Sequence, residues 1–306
     1  MSTHRKHLRR GIALTSVAAL GLTLAACGSD EGDSGSGGES GGGDKTITLG
    51  YIPSWTDGLS TAYLLDKKLT DAGYTVEHEE LQDAGLLYTA LAQGDVDIYP
   101  SAWPEVTHAS YMEQYSDDIE DLDTYYEGAK LTFAVPEYTD VDSIADLPDN
   151  VDTFDGRIVG IESGAGLTEA TQNSVIPEYG LDEAGYTLET SSTTGMLSEL
   201  KKATDAQEDI LVTLWKPFWA NSAFPVKTLE DPKGALGEAE GLHFLATKGF
   251  SEENPEVADF IGQIKLDDAQ YGALEDTVVN KHEDDPAAGV DEWLSENPDV
   301  VPDVQS

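Results

Sequence analysis

Residues 46–100 read TITLGYIPSWTDGLSTAYLLDKKLTDAGYTVEHEELQDAGLLYTALAQGDVDIYP. Short β-rich runs alternate in this stretch with amphipathic patterns of helical period. The strand patterns cover 46–52, 74–81 and 95–100, and the helical patterns cover 59–72 and 84–93. Gly94 follows the second helical pattern and is a candidate C-cap. This β-α-β-α-β order predicts an α/β fold with a mostly parallel sheet flanked by helices.

The same order recurs later in the chain. The second run has strand patterns at 157–161, 186–190 and 210–214, with helical patterns at 165–179 and 194–204. Two such runs predict two similar lobes. The segments 129–138 and 224–234 are candidate crossovers between them. Helical patterns near 254–264, 267–280 and 287–296 are expected to pack back on the first lobe. We therefore predict a first lobe of 45–134 and 225–306, and a second lobe of 135–224.

Tryptophans cluster where the predicted strands end. In parallel sheets, ligands lie beyond the carboxyl ends of the strands, here the loops after Tyr51, Ile98, Ile161 and Leu214. Three of these four loops carry tryptophan, and the tryptophans are Trp55, Trp103, Trp215 and Trp219. A single tryptophan there usually packs the fold, but equivalent positions in two lobes favour ligand contact. Facing rings suit a quaternary ammonium, since each desolvated cation–π contact contributes about 2 kcal/mol. The loops lack the Asn, Gln and Arg that a sugar site needs.

The fourth loop, after Ile161, leads through Gly164-Ala165-Gly166 into a helical pattern. Free N–H groups at a helix start bind anions, although a plain glycine turn capped by Ser163 is an equal alternative. His108 lies beside the predicted cleft and could donate to an anion, though most lone histidines are structural. Asp57 and Glu162 lie on cleft loops, where they are expected to act as caps or to raise cation affinity.

Several motifs together resemble the glycine-betaine-binding proteins of ABC importers. They are LGYIPSWTDG, YTALAQGDVDIYPSAWPEVTH, YEGAKLTFAVP, DGRIVGIESGAG, ILVTLWKPFWA and LEDPKG, between about Ile47 and Lys265. The resemblance implies a type II periplasmic-binding-protein fold with two crossovers.

The resemblance also implies a ligand site. A cage of Trp55, Trp103 and Trp215 would hold the trimethylammonium group. The carboxylate would be held by the backbone amides of Gly166 and Leu167 and by His108.

The chain departs from the family pattern in two places. The family often has His at the position of Phe218 and Asp-Pro at the positions of Glu162-Ser163. The first departure is expected to alter packing behind Trp215, with Trp219 in a supporting role. The second affects the geometry of the anion site. Glycine betaine, proline betaine, carnitine and other compatible solutes stay open as ligands.

The N-terminus predicts export and lipidation. Residues 1–26 combine four cations with an uncharged apolar core, as in a secretory signal. Leu24-Ala25-Ala26-Cys27 resembles the lipobox of bacterial lipoproteins, and Cys27 is the only cysteine of the chain. Residues 28–44 hold eight Gly, four Ser and five acidic residues and no apolar residue. We therefore expect 1–26 to be a signal peptide and 27–44 an acylated cysteine with a flexible tether, which places the protein on the extracytoplasmic face of the cell membrane.

The chain is strongly acidic, with 17 Lys+Arg against 59 Asp+Glu and a formal charge of −42. Loss of the four signal cations makes the charge −46. So few cations exclude nucleic acid as a partner and disfavour binding to anionic headgroups, so the membrane contact is expected through lipid. The acidity fits either a solvated surface or a saline habitat.

The leading hypothesis is a receptor that delivers its zwitterion to an ABC permease. A separate subunit would supply the ATPase, because the chain has no Walker motif. A receptor for choline or another amine is the alternative, and it would leave Gly166 and His108 unexplained. A secreted hydrolase built on Ser163, or on Asp95 and Asp97 with His108, lacks a nucleophile spaced to a base. No enzyme activity, cofactor or metal is expected.

Overall fold

The computed structural model describes residues 45–305. The predicted signal peptide, Cys27 and the tether lie outside the described residues. Within 45–305, every helix is too short or too polar to cross a membrane.

The described residues form nine strands and twelve α-helices. The strands are β1 (Thr46–Tyr51), β2 (Thr75–Glu80), β3 (Ile98–Ala102), β4 (Ile119–Pro136), β5 (Arg157–Val159), β6 (Thr187–Glu189), β7 (Val212–Lys216), β8 (Val226–Thr228) and β9 (Glu240–Thr247). The helices are α1 (Thr56–Asp71), α2 (Ala84–Gln93), α3 (Ala109–Tyr115), α4 (Gly166–Ala170), α5 (Ile176–Tyr179), α6 (Leu181–Ala184), α7 (Thr193–Ala206), α8 (Ala220–Ala223), α9 (Phe250–Glu253), α10 (Pro255–Ile261), α11 (Asp268–Glu275) and α12 (Pro286–Glu296). A 3₁₀ segment covers Ile144–Phe154, and π-turns cover Thr171–Val175 and Asp276–Lys281.

The two β-α-β-α-β runs are confirmed, and each forms one end of the sheet. The strand order is β2-β1-β3-β9-β4-β7-β5-β6, with β8 beside β4. Outer neighbours pair in parallel, as β1 does with β2 and β3, and β5 with β6 and β7. Strands β4 and β9 add antiparallel pairing at the centre. The predicted α/β fold class is confirmed, with more antiparallel character than the sequence indicated.

The long strand β4 joins the two halves of the sheet. Its residues 119–129 pair with β9, and Lys130 to Ala134 pair with β7. We call β1, β2, β3, β9 and the start of β4, with the helices packed on them, the first lobe. The second lobe is built on the end of β4 and on β5 to β8. The residue boundaries given above for the lobes stay a prediction.

Two strands were not predicted. β8 lies inside the stretch 224–234, which was expected to be a turn-rich crossover, and pairs with β4 at Ala134 to Pro136. β9 is buried along nearly its whole length. A strand buried on both faces lacks the period-two pattern from which strands are predicted.

The helix ends follow local rules. Asp83 accepts a hydrogen bond from the Leu86 amide at 3.0 Å and caps α2. Gly94 ends that helix with φ +75°, so the predicted C-cap is confirmed. The C-terminal helices α11 and α12 pack against α1, as expected. Trp293 of α12 is fully buried in this contact layer.

Candidate ligand-binding site

One cavity between the lobes brings together all six predicted ligand-binding residues. The space between its lining residues, including the part open to solvent, is about 340 Å³. It is lined by Trp55, Asp57, Trp103, Thr107, His108, Leu131, Ile161, Ala165, Gly166, Leu167 and Trp215. The lining residues come from both lobes, so the cavity exists only when the lobes are together.

Each of the three cavity tryptophans follows or ends a strand. Trp55 directly precedes α1, four residues after β1, and Trp103 follows β3 directly. Trp215 lies near the end of β7, opposite Leu131 of β4. Their exposed fractions are 8%, 5% and 5%. The ring faces are therefore removed from water, which is the condition under which cation–π contacts are strongest.

A buried carboxylate holds Trp103. The indole Nε1 of Trp103 donates to Asp57 Oδ2 at 3.0 Å, and Ser101 Oγ donates to the same oxygen at 2.8 Å. Ser101 is also bound to the Tyr125 hydroxyl at 2.7 Å. Burial raises the pKa of Asp57, while the bonds from Trp103 and Ser101 oppose that rise. Asp57 thus fixes the orientation of one cage ring and puts an acidic group at the cavity wall.

Trp55 is bound by a second acid from the opposite lobe. Its Nε1 donates to Glu162 Oε2 at 3.3 Å. One face of the Trp55 ring stacks on His108, with centroids 6.0 Å apart and an interplanar angle of 13°. Neither Asp57 nor Glu162 is only a loop cap, because each accepts a hydrogen bond from a cage tryptophan.

His108 immediately precedes α3 and is 1% exposed. Burial lowers its pKa to about 3, so the imidazole is neutral at physiological pH. The Trp103 amide donates to His108 Nδ1 at 3.4 Å, which makes Nδ1 the acceptor. The proton of the neutral ring is then on Nε2. His108 therefore offers one N–H donor at the cavity wall.

The N-terminus of α4 supplies further donors. Its N-cap is Ala165, which gives no side-chain cap, and Ser163 is exposed. The predicted Ser163 cap is therefore wrong, whereas the turn through Gly164 is present and is closed by the Ala165 amide, which donates to the Glu162 carbonyl oxygen at 3.1 Å. The helix continues through the π-turn into α5, and Gly166 and Leu167 occupy its first positions. Their amide N–H groups have no partner within the helix, so they suit an anion.

Phe218 stacks directly on Trp215, with centroids 4.0 Å apart and an interplanar angle of 18°. Trp219 contacts Phe218 and Phe224 and is not part of the cavity lining. The cavity tryptophan of the second lobe is thus supported from behind by an aromatic cluster.

The comparisons with known proteins agree with this geometry. A family model described as the substrate binding domain of ABC-type glycine betaine transport system matches residues 45–296. The chain belongs to this family.

Individual relatives support the assignment. The glycine betaine/carnitine transport binding protein GbuC of Listeria monocytogenes is 38% identical over 146 residues, which is 47% of each chain. The match thus spans about half the length of that curated relative.

Two solved structures match more completely. The glycine betaine/L-proline-binding protein ProX of Borrelia burgdorferi is 29% identical, with a TM-score of 0.78, over 84% of this chain and 97% of that one. Lactococcal OpuAC, in its closed-liganded conformation complexed with glycine betaine, is 28% identical, with a TM-score of 0.75, over 83% and 97%. The two-lobed periplasmic-binding-protein fold of this chain is confirmed.

Glu240 was missed by sequence reasoning. It lies at the start of β9, where it is 3% exposed. Its carboxylate accepts from the amides of Glu105, Val106 and Thr107 at 2.9–3.1 Å. It therefore holds the turn that carries His108. Nothing local in the sequence links a residue to a turn more than 130 positions away.

Glu275 was also missed. It lies at the end of α11, 2% exposed, and its Oε1 accepts from Thr56 Oγ1 beside the Trp55 loop. Burial raises its pKa to about 8, with the Thr56 bond opposing the rise and the charge of Asp57 adding to it. A second buried acid thus lies close to Asp57, behind the loop that carries Trp55.

Proposed function

We propose that this protein is the extracytoplasmic receptor of an ABC importer and that it captures glycine betaine or a closely related quaternary-ammonium zwitterion. The observation that carries this proposal is the combination of aromatic rings and hydrogen-bond donors that line one cavity. Three buried tryptophans lie on its wall together with a neutral histidine donor and an uncapped helix start. A ligand with a trimethylammonium group at one end and a carboxylate at the other uses all of them.

The cation end would be held without a direct ion pair. The faces of Trp55, Trp103 and Trp215 offer negative quadrupole density and dispersion contact to methyl groups that cannot donate hydrogen bonds. The Asp57 carboxylate accepts a hydrogen bond from Nε1 of Trp103 and adds negative charge next to that ring. The carboxylate end would accept from His108 Nε2 and from the amides of Gly166 and Leu167.

Transport requires capture, closure and release. Because the cavity lining comes from both lobes, ligand binding and lobe closure are coupled. We infer that the closed protein docks on a membrane permease, that a separate ATPase subunit drives uptake, and that the receptor itself catalyses no reaction. Osmoprotection is the physiological role that fits uptake of such a solute.

Choline or another amine is the second candidate. Choline would use the same tryptophans, but it carries a hydroxyl where a betaine carries a carboxylate. His108 and the start of α4 would then face a neutral hydroxyl, and hydrogen bonds to a neutral acceptor are weaker than those to a carboxylate. A hydrolase has weaker support still. Ser163 is exposed, and Asp97 accepts from the Thr48 amide at 2.7 Å, a structural role.

Lipid anchoring completes the proposal. Acylation at Cys27 after removal of residues 1–26 would keep the receptor beside its permease. The tether of residues 28–44 has an rms reach of about 20–25 Å, enough for the folded body to stand clear of the membrane.

Isothermal titration calorimetry with glycine betaine and choline tests the proposal directly. We expect a one-to-one binding isotherm for glycine betaine and binding to choline weaker by about tenfold or more, the value of one charge-assisted hydrogen bond. Tryptophan fluorescence should change on the same titration. Equal or tighter choline binding would favour the second candidate, and the absence of binding to either ligand would overturn both.

A further inference from the structure

The carboxylate of Glu162 lies at the junction of the two lobes. It follows β5, in the second lobe, and four donors surround it. The Thr193 amide and the Thr193 hydroxyl donate to it at 2.8 Å each. From the first lobe, Ser54 Oγ and Trp55 Nε1 donate at 3.3 Å each. One side chain therefore links the start of α7 to the loop that carries the first cage tryptophan.

The two pairs of bonds are unequal, and the difference has a consequence for opening. Thr193 is fully buried at the N-terminus of a 14-residue helix, so the two shorter bonds anchor the carboxylate within the second lobe. The two longer bonds cross the cleft. When the lobes separate, the anchored pair stays intact and the crossing pair is lost.

Glu162 is not among the residues that line the cavity. Its effect on a ligand must therefore pass through Trp55 and through the relative position of the lobes. Other contacts cross nearby: the Tyr111 hydroxyl donates to the Gly164 carbonyl oxygen at 3.1 Å. Glu162 differs from these in having a charge, four donors and a direct bond to a cage ring.

We propose that Glu162 is a positioning residue that stabilises the closed form and fixes the Trp55 ring in it. It thereby sets how long a bound solute is retained, and it does not set which solute is chosen. This inference rests on the proposed function, since it needs a ligand that the tryptophan cage encloses.

A hydrogen bond that forms only after the lobes close affects the dissociation rate constant of the ligand. Initial association of ligand with an open lobe does not use the crossing bonds, so the association rate constant is unaffected by their loss. The closed complex loses part of its stability, so the dissociation rate constant rises. Because Glu162 touches neither end of the ligand, betaine and choline are affected by the same factor.

Stopped-flow tryptophan fluorescence with glycine betaine and with choline tests the inference in Glu162→Gln. We expect the dissociation rate constant to rise about 5- to 30-fold, at the low end of the loss typical of hydrogen bonds to a charged group, because the two crossing bonds are long and Gln keeps a neutral acceptor. The ratio of betaine to choline affinity should change by less than about twofold, because selectivity is a difference between two affinities that fall together. Glu183→Gln is the matched control. It removes the same charge from an exposed side chain of α6, in the second lobe and outside the cavity lining, that makes no hydrogen bond within residues 45–305, and both rate constants should stay as in the wild type.

The outcomes separate the two proposals. If the wild type binds neither solute, the proposed function fails. If the wild type binds betaine and Glu162→Gln has an unchanged dissociation rate, the inference about Glu162 alone is overturned, as it is by a change in solute preference. If Glu162→Gln fails to fold, Ser54→Ala tests the same inference from the first lobe. Its crossing bond is lost while the Thr193 anchor stays, so the dissociation rate should rise about two- to fivefold, and no rise overturns the inference.

Discussion

Gly166 and Thr107 meet across the cleft with no room for a side chain. A Cβ built on Gly166 would lie 2.1 Å from the Thr107 carbonyl oxygen and 2.6 Å from its Cγ2. Because Glu240 holds the amide and hydroxyl of Thr107, this turn cannot easily move away. The closed form therefore depends on glycine at this position.

Gly166→Ala should prevent full closure and weaken glycine betaine binding by about 100-fold or more, since a rigid backbone clash costs several kcal/mol. The open protein avoids the clash, so the variant should unfold at nearly the wild-type urea concentration. Calorimetry and urea unfolding check the two parts. Gly164→Ala is the control, because its Cβ would make an ordinary contact at 3.4 Å to Asp83. Similar affinities for the two variants would contradict the clash.

Loss of a tryptophan that lines the cavity should lower glycine betaine affinity more than loss of a tryptophan outside it. Trp103→Ala should reduce glycine betaine affinity by about 30-fold or more, since one desolvated cation–π contact alone contributes about 2 kcal/mol. Trp219→Ala lies outside the cavity lining and should reduce affinity far less. Binding of labelled betaine measures both. Undiminished affinity in Trp103→Ala would rule out the cage.

His108→Ala should distinguish the two ends of the ligand. The variant loses the N–H donor at the carboxylate end and leaves the tryptophans in place. Glycine betaine affinity should fall by about 10-fold or more, as for a hydrogen bond to a charged group, whereas choline affinity should change little. Calorimetry with both ligands gives the comparison, and His282→Ala, a partly exposed histidine distant in the chain, is the control. An equal loss for both ligands would mean that His108 only supports Trp55.

The ends of β1, β3 and β7 could be predicted from the sequence, because each strand has a local pattern. Trp55, Trp103 and Trp215 lie at or just after these ends, so their place at one edge of the sheet could be predicted too. The tryptophans at the strand ends and the helix start were thus predictable one loop at a time, whereas the choice of Trp55, Trp103 and Trp215 as a ligand cage came from the family resemblance and stays a prediction. The hydrogen bonds between residues far apart in the sequence were not predictable. Glu240 lies more than 130 residues from its turn, and Glu162 more than 100 from Ser54. Only the antiparallel placement of β9 and the closure of the lobes bring such pairs together.

The stability of the protein should fall with rising pH because of Glu275. Its pKa is about 8 in the folded protein against the ordinary 4.5. Between these values the folded protein holds a proton that the unfolded chain releases, so stability is lost as pH rises. The slope is at most about 1.4 kcal/mol per pH unit, and it levels off above about pH 8.

Glu275→Gln keeps an acceptor for Thr56 and removes the titration. Urea unfolding at pH 5.5, 6.5, 7.5 and 8.5 should therefore show a smaller loss of unfolding free energy with pH in the variant than in the wild type. Glu283→Gln, at an exposed turn, is the control and should follow the wild type. Parallel curves for the wild type and Glu275→Gln would show that Glu275 is ionised in the folded protein throughout.

Cys27→Ser should release the receptor without impairing it. If the cysteine carries the membrane anchor, its loss leaves, once residues 1–26 are removed, an unacylated chain of formal charge −46, which anionic headgroups repel. The protein should then move from the membrane fraction to the medium and still bind glycine betaine with wild-type affinity, because the cavity is built entirely from residues between Trp55 and Trp215. Gly28→Ser is the control and should stay membrane-bound.

A single acyl chain holds proteins only marginally, whereas two or more anchor them stably, so high salt should not extract the wild type. Retention of Cys27→Ser on the membrane would instead show that the protein is held by another contact.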